Sequence, residues 1–182
     1  MSGLPFFPQV LTQQKSAGTL FNTYTTAKTV INQENLLTLP PNYLGQGSKL
    51  KIRVYGGISN VVTATPTFTF QVMMGSTVAW SSGAITTNAT ANTLLPFTLD
   101  IELRVDSIGT GTAAKYMGHA SLTCAAFASG STAITVPVAS PAVGNGWDST
   151  IANILDFWVG ISASNAGNGV QIYDYKVSQE WS

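Results

Sequence analysis

The sequence predicts an all-β protein, a two-sheet antiparallel β-sandwich of jelly-roll-like form with an extended N-terminal arm. Three observations carry that prediction. From Leu95 to Val105 the odd positions read Leu, Pro-flanked Phe97, Leu99, Ile101, Leu103 and Val105, while Thr98, Asp100, Glu102, Arg104 and Asp106 fill the even ones. Successive strand side chains point to opposite faces, so this stretch puts its apolar residues on one face and its charges on the other. Breaker residues recur at short intervals, as in Pro40-Pro41-Asn42, Gly75-Ser76 and Asn165-Ala166-Gly167-Asn168-Gly169. Charged residues are only 9% of the 182 residues, and Thr, Ser, Asn, Gly and Ala take their place, a mixture that suits strands and turns rather than helices.

Taken in order, residues 1–18 read as the arm and residues 19–182 as one sandwich domain. Pro5 and Pro8 bracket Phe6-Phe7, and prolines favour extended backbone while lacking the donor that a central strand needs. Two phenylalanines in such an arm are expected either to fold back over the chain's own core or to dock into another subunit. Thr19–Thr26 reads as a first strand, followed by short strands at Thr29–Ile31 and Leu36–Leu39 around the turn Asn32–Asn35. Leu50, Ile52 and Val54 alternate with Lys49, Lys51, Arg53 and Tyr55, which makes a half-buried strand with a cationic outer face.

Phe68, Phe70, Val72 and Met74 share a face, and Gly75-Ser76 turns that strand into Thr77–Trp80 as a hairpin. Beyond the long alternating strand, Tyr116, Gly118, Ala120, Leu122, Cys124 and Ala126 fall on one face. Their small side chains predict a strand crossed closely by another layer. Ser129–Gly146 is a connection with Ile134-Thr135-Val136 as a candidate edge strand. Leu155, Phe157, Val159 and Ile161 then form a core face, and Val170–Trp181 closes the chain.

Catalysis and metal binding find little purchase in this sequence. His119 is the one histidine and falls on the outer phase of its strand; Cys124 is the one cysteine and falls on the core phase. Neither belongs to a triad, and a multi-histidine metal site is excluded. Asp100, Glu102 and Asp106 share a strand face with Arg104, a spacing compatible with a carboxylate pair but expected of a solvated or intersubunit face. Asp148, Asp156 and Asp174 are the first candidates should a cation be held at all. Net charge is zero, so no global field draws in nucleic acid or an anionic membrane, and no run approaches ~20 apolar residues. The start of the chain has no basic, then apolar, secretory pattern. The expectation is a non-enzymatic protein without cofactor or metal. Trp80, Trp147, Trp158 and Trp181, with Tyr43, Tyr55, Tyr173 and Tyr175, are the candidates for a partner or sugar surface, about half of them core.

The blocks Gly56–Val78, Leu94–Asp106, Gly109–Ala114, Val143–Thr150, Leu155–Phe157 and Asn165–Ile172 together resemble a family of tailed-bacteriophage virion proteins. The resemblance spans residues ~36–176. It implies a jelly-roll module made in the host cytoplasm and assembled on the particle, without catalytic residues. The primary expectation is a capsid decoration (cement) protein that binds the major capsid protein, or other virion subunits, as a homotrimer. The alternative is a receptor- or glycan-binding module of a tail or head fibre, with host glycan as its ligand. Phe6, Phe7, Trp147 and Trp158 are the predicted partner-binding residues, the two tryptophans because the family pattern often has smaller residues there.

Overall fold

The structure, a computed structural model, describes residues 8–62, 65–127, 133–137 and 142–180. Fourteen strands follow one another: β1 Gln9–Gln13, β2 Phe21–Asn22, β3 Lys28–Thr29, β4 Leu37–Leu39, β5 Lys49–Asn60, β6 Thr67–Met74, β7 Thr77–Ser81, β8 Ile85–Thr86, β9 Asn92–Ser107, β10 Lys115–Cys124, β11 Ala133–Val136, β12 Ala142–Val143, β13 Asn153–Ile161 and β14 Gly169–Glu180. Among the described residues, a 3-10 turn at Gln33–Asn35 is the one helical element.

The strands form two antiparallel sheets. Sheet A runs β1-β14-β5-β9-β10-β11, with β2 also on β14 and β12 on β10. Sheet B runs β3-β13-β6-β7, with β4 also on β13 and β8 on β6. The path β1/β2-β14-β5-β9 in one sheet faces β3/β4-β13-β6-β7 in the other, so successive pairs of strands cross between layers as in a jelly roll. β10, β11 and β12 lie outside that scheme and widen sheet A on the side of β9.

The predicted alternations set which side chains meet between the layers. Leu99, Ile101, Leu103 and Val105 of β9 are buried, as are Leu50, Ile52 and Val54 of β5 and Tyr116, Ala120, Leu122 and Cys124 of β10. Phe70 of sheet B meets Phe97 of sheet A at 5.5 Å between ring centroids and Phe157 at 6.1 Å; Phe157 in turn meets Tyr175 of sheet A at 6.2 Å. Each fully buried ring contributes about 1.5–3 kcal/mol by removal from water, and these four rings pin the two layers together at mid-length. Gly118 shows the expected close crossing: a Cβ there would lie within 3.0 Å of both Leu103 Cδ2 and Trp80 Cδ1. Gly75, at φ +59°, makes the predicted hairpin between β6 and β7.

Two expectations need correction. Thr19–Thr26 contributes only the two-residue β2, because Thr23 turns to φ +61° and leaves the ladder after Asn22. Within residues 1–18, Gln9–Gln13 is β1, an edge strand paired with β14, and the chain stays on that edge afterwards. The Gln14 amide donates to the Tyr175 carbonyl and the Gly18 amide to the Ile172 carbonyl, each at 2.7 Å. Phe6 and Phe7 lie outside the described residues.

Candidate functional site

The outward face of sheet A gathers the side chains that the alternation left in solvent. Because β14, β5, β9 and β10 pair in register, those side chains line up in transverse rows. One row is Ser178, Lys51, Glu102 and His119; the next is Lys176, Arg53, Asp100 and Ser121; a third is Asp174, Tyr55, Thr98 and Thr123. The first two rows line a shallow open depression of about 470 Å³.

Ion pairs cross this face. Lys51 Nζ is 2.7 Å from Glu180, Lys49 Nζ is 3.3 Å from Glu102 and Arg53 Nε is 3.4 Å from Asp100. Arg104 meets Asp106 at 3.2 Å on the same face. The Glu180 partner holds the Lys51 ammonium above its ordinary value. Asp100, Glu102 and Asp106, the carboxylates that the spacing singled out, therefore each face a cation in the open. A glycosidase acid needs the reverse setting, an apolar pocket that keeps a carboxyl protonated.

The third row ends in an aromatic pair. Tyr55 is 42% exposed, and its ring lies 5.8 Å from that of Tyr173 at 50°. Tyr173 reaches this position because the register slips between Ile172 and Asp174, an irregularity that sets one additional residue of β14 against β5. Gly57 makes room for it: a Cβ at Gly57 would lie 3.0 Å from the Tyr173 hydroxyl oxygen. Tyr55 follows from the alternation of β5. Tyr173 does not, since the slip shifts its phase.

The remaining candidates separate by place. Trp147, expected at a partner surface, is 4% exposed and belongs to the core. Its backbone exchanges hydrogen bonds with Ala114, and its ring stacks on Tyr116 at 5.5 Å and 20°. A tryptophan in an irregular stretch has no period to reveal its direction, and here the chain folds over the end of β10 and turns the ring inward. Trp80 and Tyr175 are likewise buried. Trp158 is half-buried on the outward face of sheet B, where its indole N–H donates to Asp156 Oδ2 at 2.6 Å. Trp181 lies outside the described residues.

His119 is exposed on the outer face, in the row with Glu102. Cys124 is buried, which pushes its thiol up from the ordinary value and disfavours the reactive thiolate.

The three aspartates considered for a cation are apart, and two of them are already engaged by hydrogen-bond donors. Asp148 accepts from Gly111 N, Thr150 N and Thr150 Oγ1, which hold its carboxyl below the ordinary value. Asp156 accepts from Thr29 Oγ1, Phe157 N and Trp158 Nε1, yet burial outweighs these donors and pushes its carboxyl up. Asp174 stands on the other sheet, beside Tyr55. Among the described residues no group of three or more His, Cys, Asp or Glu side chains is placed to hold a metal ion.

The sequence matches no protein-family model and no curated protein. Among solved structures it aligns with the CBM2 module of the evolved Dit of Lactobacillus casei BL23 phage J-1, over 97% of this chain and 98% of that one, at 11% identity and a TM-score of 0.39.

Proposed function

We propose that this protein is a non-enzymatic binding module of a phage virion and that it binds a saccharide on the outward face of sheet A. The observation that carries the reading is the tyrosine pair set beside the two polar rows. Aromatic rings take the C–H side of a sugar, while guanidinium, ammonium, carboxylate and hydroxyl groups bind its hydroxyls. The face is built on the long central strands β5, β9 and β14, so these groups are held in fixed register rather than on loops. The virion assignment rests on the blocks of sequence that resemble phage structural proteins.

Titration of the full chain with host-envelope oligosaccharides tests the reading. Binding should weaken about five- to twelvefold in Tyr55→Ala, the loss expected when a stacking ring worth about 1–1.5 kcal/mol is removed. The melting temperature should stay within a few degrees. Binding that survives both Tyr55→Ala and Arg53→Ala would overturn it.

The capsid-decoration reading, as a trimer, has its own support. β1 and β2 both lie along β14, and Val10, Leu20 and Tyr24 on this stretch are 48%, 41% and 48% exposed. Exposed apolar side chains near a short edge strand suit a protein contact. Imaging of intact particles separates the two: density at threefold positions of the capsid favours decoration, and density at the tail alone favours the saccharide reading.

A further inference from the structure

We infer that the depression on sheet A selects an acidic saccharide, a pyranose carrying a carboxylate or phosphate group. This inference rests on the saccharide reading above. Its starting point is a like-charge contact: Arg53 and Lys176 are directly opposite in the β5–β14 register, side by side on the outward face. Like charges in directly opposed strand positions destabilise a sheet, so an arrangement of this kind draws in a counter-charge.

Part of that counter-charge is already present. Asp100 lies across β5 from Lys176 and takes Arg53 at 3.4 Å, with side-chain exposures of 53% and 67%. Lys51 is taken by Glu180 and Glu102 by Lys49. Once these pairs are set aside, Lys176 is the cation left over in the lining. Among the described residues no carboxylate stands within 4 Å of it. Ser121, in the same row, and Ser178, two residues along β14, add hydroxyls to the lining.

Asp174 sets the orientation of the bound sugar. It sits on the same face as Lys176, opposite Tyr55 and outside the lining of the depression. Alternate strand residues are about 6.5–7 Å apart, close to the length of one pyranose ring. An acidic group placed over the tyrosines would meet Asp174, whereas one placed between Arg53 and Lys176 meets two cations. The geometry therefore puts the oxyanion in the depression and the sugar ring toward Tyr55.

Calorimetric titration of the full chain tests this with four probes: a hexuronate trisaccharide, the neutral hexose trisaccharide of the same linkage, glucose 6-phosphate and inorganic phosphate. At least one acidic sugar should bind about three- to tenfold more tightly than the neutral trisaccharide, the range for one partly screened ion contact. The difference should shrink in 0.5 M salt. Lys176→Gln should erase that preference, so that this variant binds the acidic sugars no more tightly than it binds the neutral trisaccharide. Tyr55→Ala should weaken all the sugars. Equal binding of acidic and neutral sugars, or a preference that survives Lys176→Gln, overturns the inference and leaves the saccharide reading standing. Inorganic phosphate bound as tightly as the acidic sugars also overturns it, since the site would then be for an anion without a sugar. Binding of none of the four overturns both.

Discussion

The outward faces of the two sheets are both polar, yet they hold charge in opposite ways. Sheet A carries four ion pairs in the open, spread over β5, β9 and β14. Sheet B has a single carboxylate on β13, Asp156, 9% exposed and held by three hydrogen-bond donors. Exposed ion pairs contribute little to stability, about 0–1 kcal/mol each, so the side chains of sheet A are free to change partners. A buried carboxylate with three donors is fixed in place, because removing it strands the donors. The difference teaches where stability resides: the charges of one face are exchangeable, and the charge of the other is structural.

Three measurements break or sharpen that contrast. The largest effect belongs to Asp156→Ala, which leaves Thr29 Oγ1, Phe157 N and Trp158 Nε1 without their acceptor. Urea denaturation should show a loss of about 2–4 kcal/mol. A loss below ~0.5 kcal/mol would make the two faces equivalent.

The second measurement is a pH profile. Burial raises the Asp156 carboxyl above 3.8, its value in the unfolded chain. In the window between the two values the folded state binds more protons than the unfolded state, so this group lowers stability as pH rises through it. Asp148 has the opposite sign: its carboxyl is depressed by hydrogen bonds, so its contribution is present above 3.8 and is lost as pH falls through the folded value. Melting temperatures between pH 3 and 7 should fall less steeply with rising pH in Asp156→Asn than in the parent chain. Parallel profiles would show that Asp156 does not titrate there.

The smallest effect is expected on sheet A. A double-mutant cycle of Lys49→Ala and Glu102→Ala should return a coupling of about 0.2–1 kcal/mol, vanishing in 0.5 M salt. A coupling above ~2 kcal/mol would make this face structural too.

What could be read from the sequence follows the same physics. β9, β5 and β10 were legible because each has one face in the core and one in water, so burial writes a two-residue period into the chain. The outer positions of Tyr55 and His119 and the core position of Cys124 follow from that period alone. The core position of Trp147 is not legible, because it lies between strands, where no period applies. Tyr173 was only one name among eight aromatic candidates, because a register slip is a property of two strands together. The depression was not legible as a site: Lys176, Arg53, Asp100 and Ser121 come from four strands, and only the pairing order β14-β5-β9-β10 makes them a row. Ion pairing was legible as composition and phase, but not as a list of partners.

That pairing order also has a consequence in time. β14 follows the other thirteen described strands in the sequence, yet it lies inside sheet A, hydrogen-bonded to β5 on one side and to β1 and β2 on the other. Until it has been made, β5 lacks its partner on that edge and β1 and β2 lack the strand they pair with. The sandwich therefore cannot be completed from the N-terminus onward, and its defining contacts join residues such as Gln9 and Gln179 across almost the whole chain. Such non-local pairing slows folding, because the loop must close before any contact rewards it. Without β14 the edge of β5 is unpaired, and an unpaired strand edge is a template on which a strand of another copy can add.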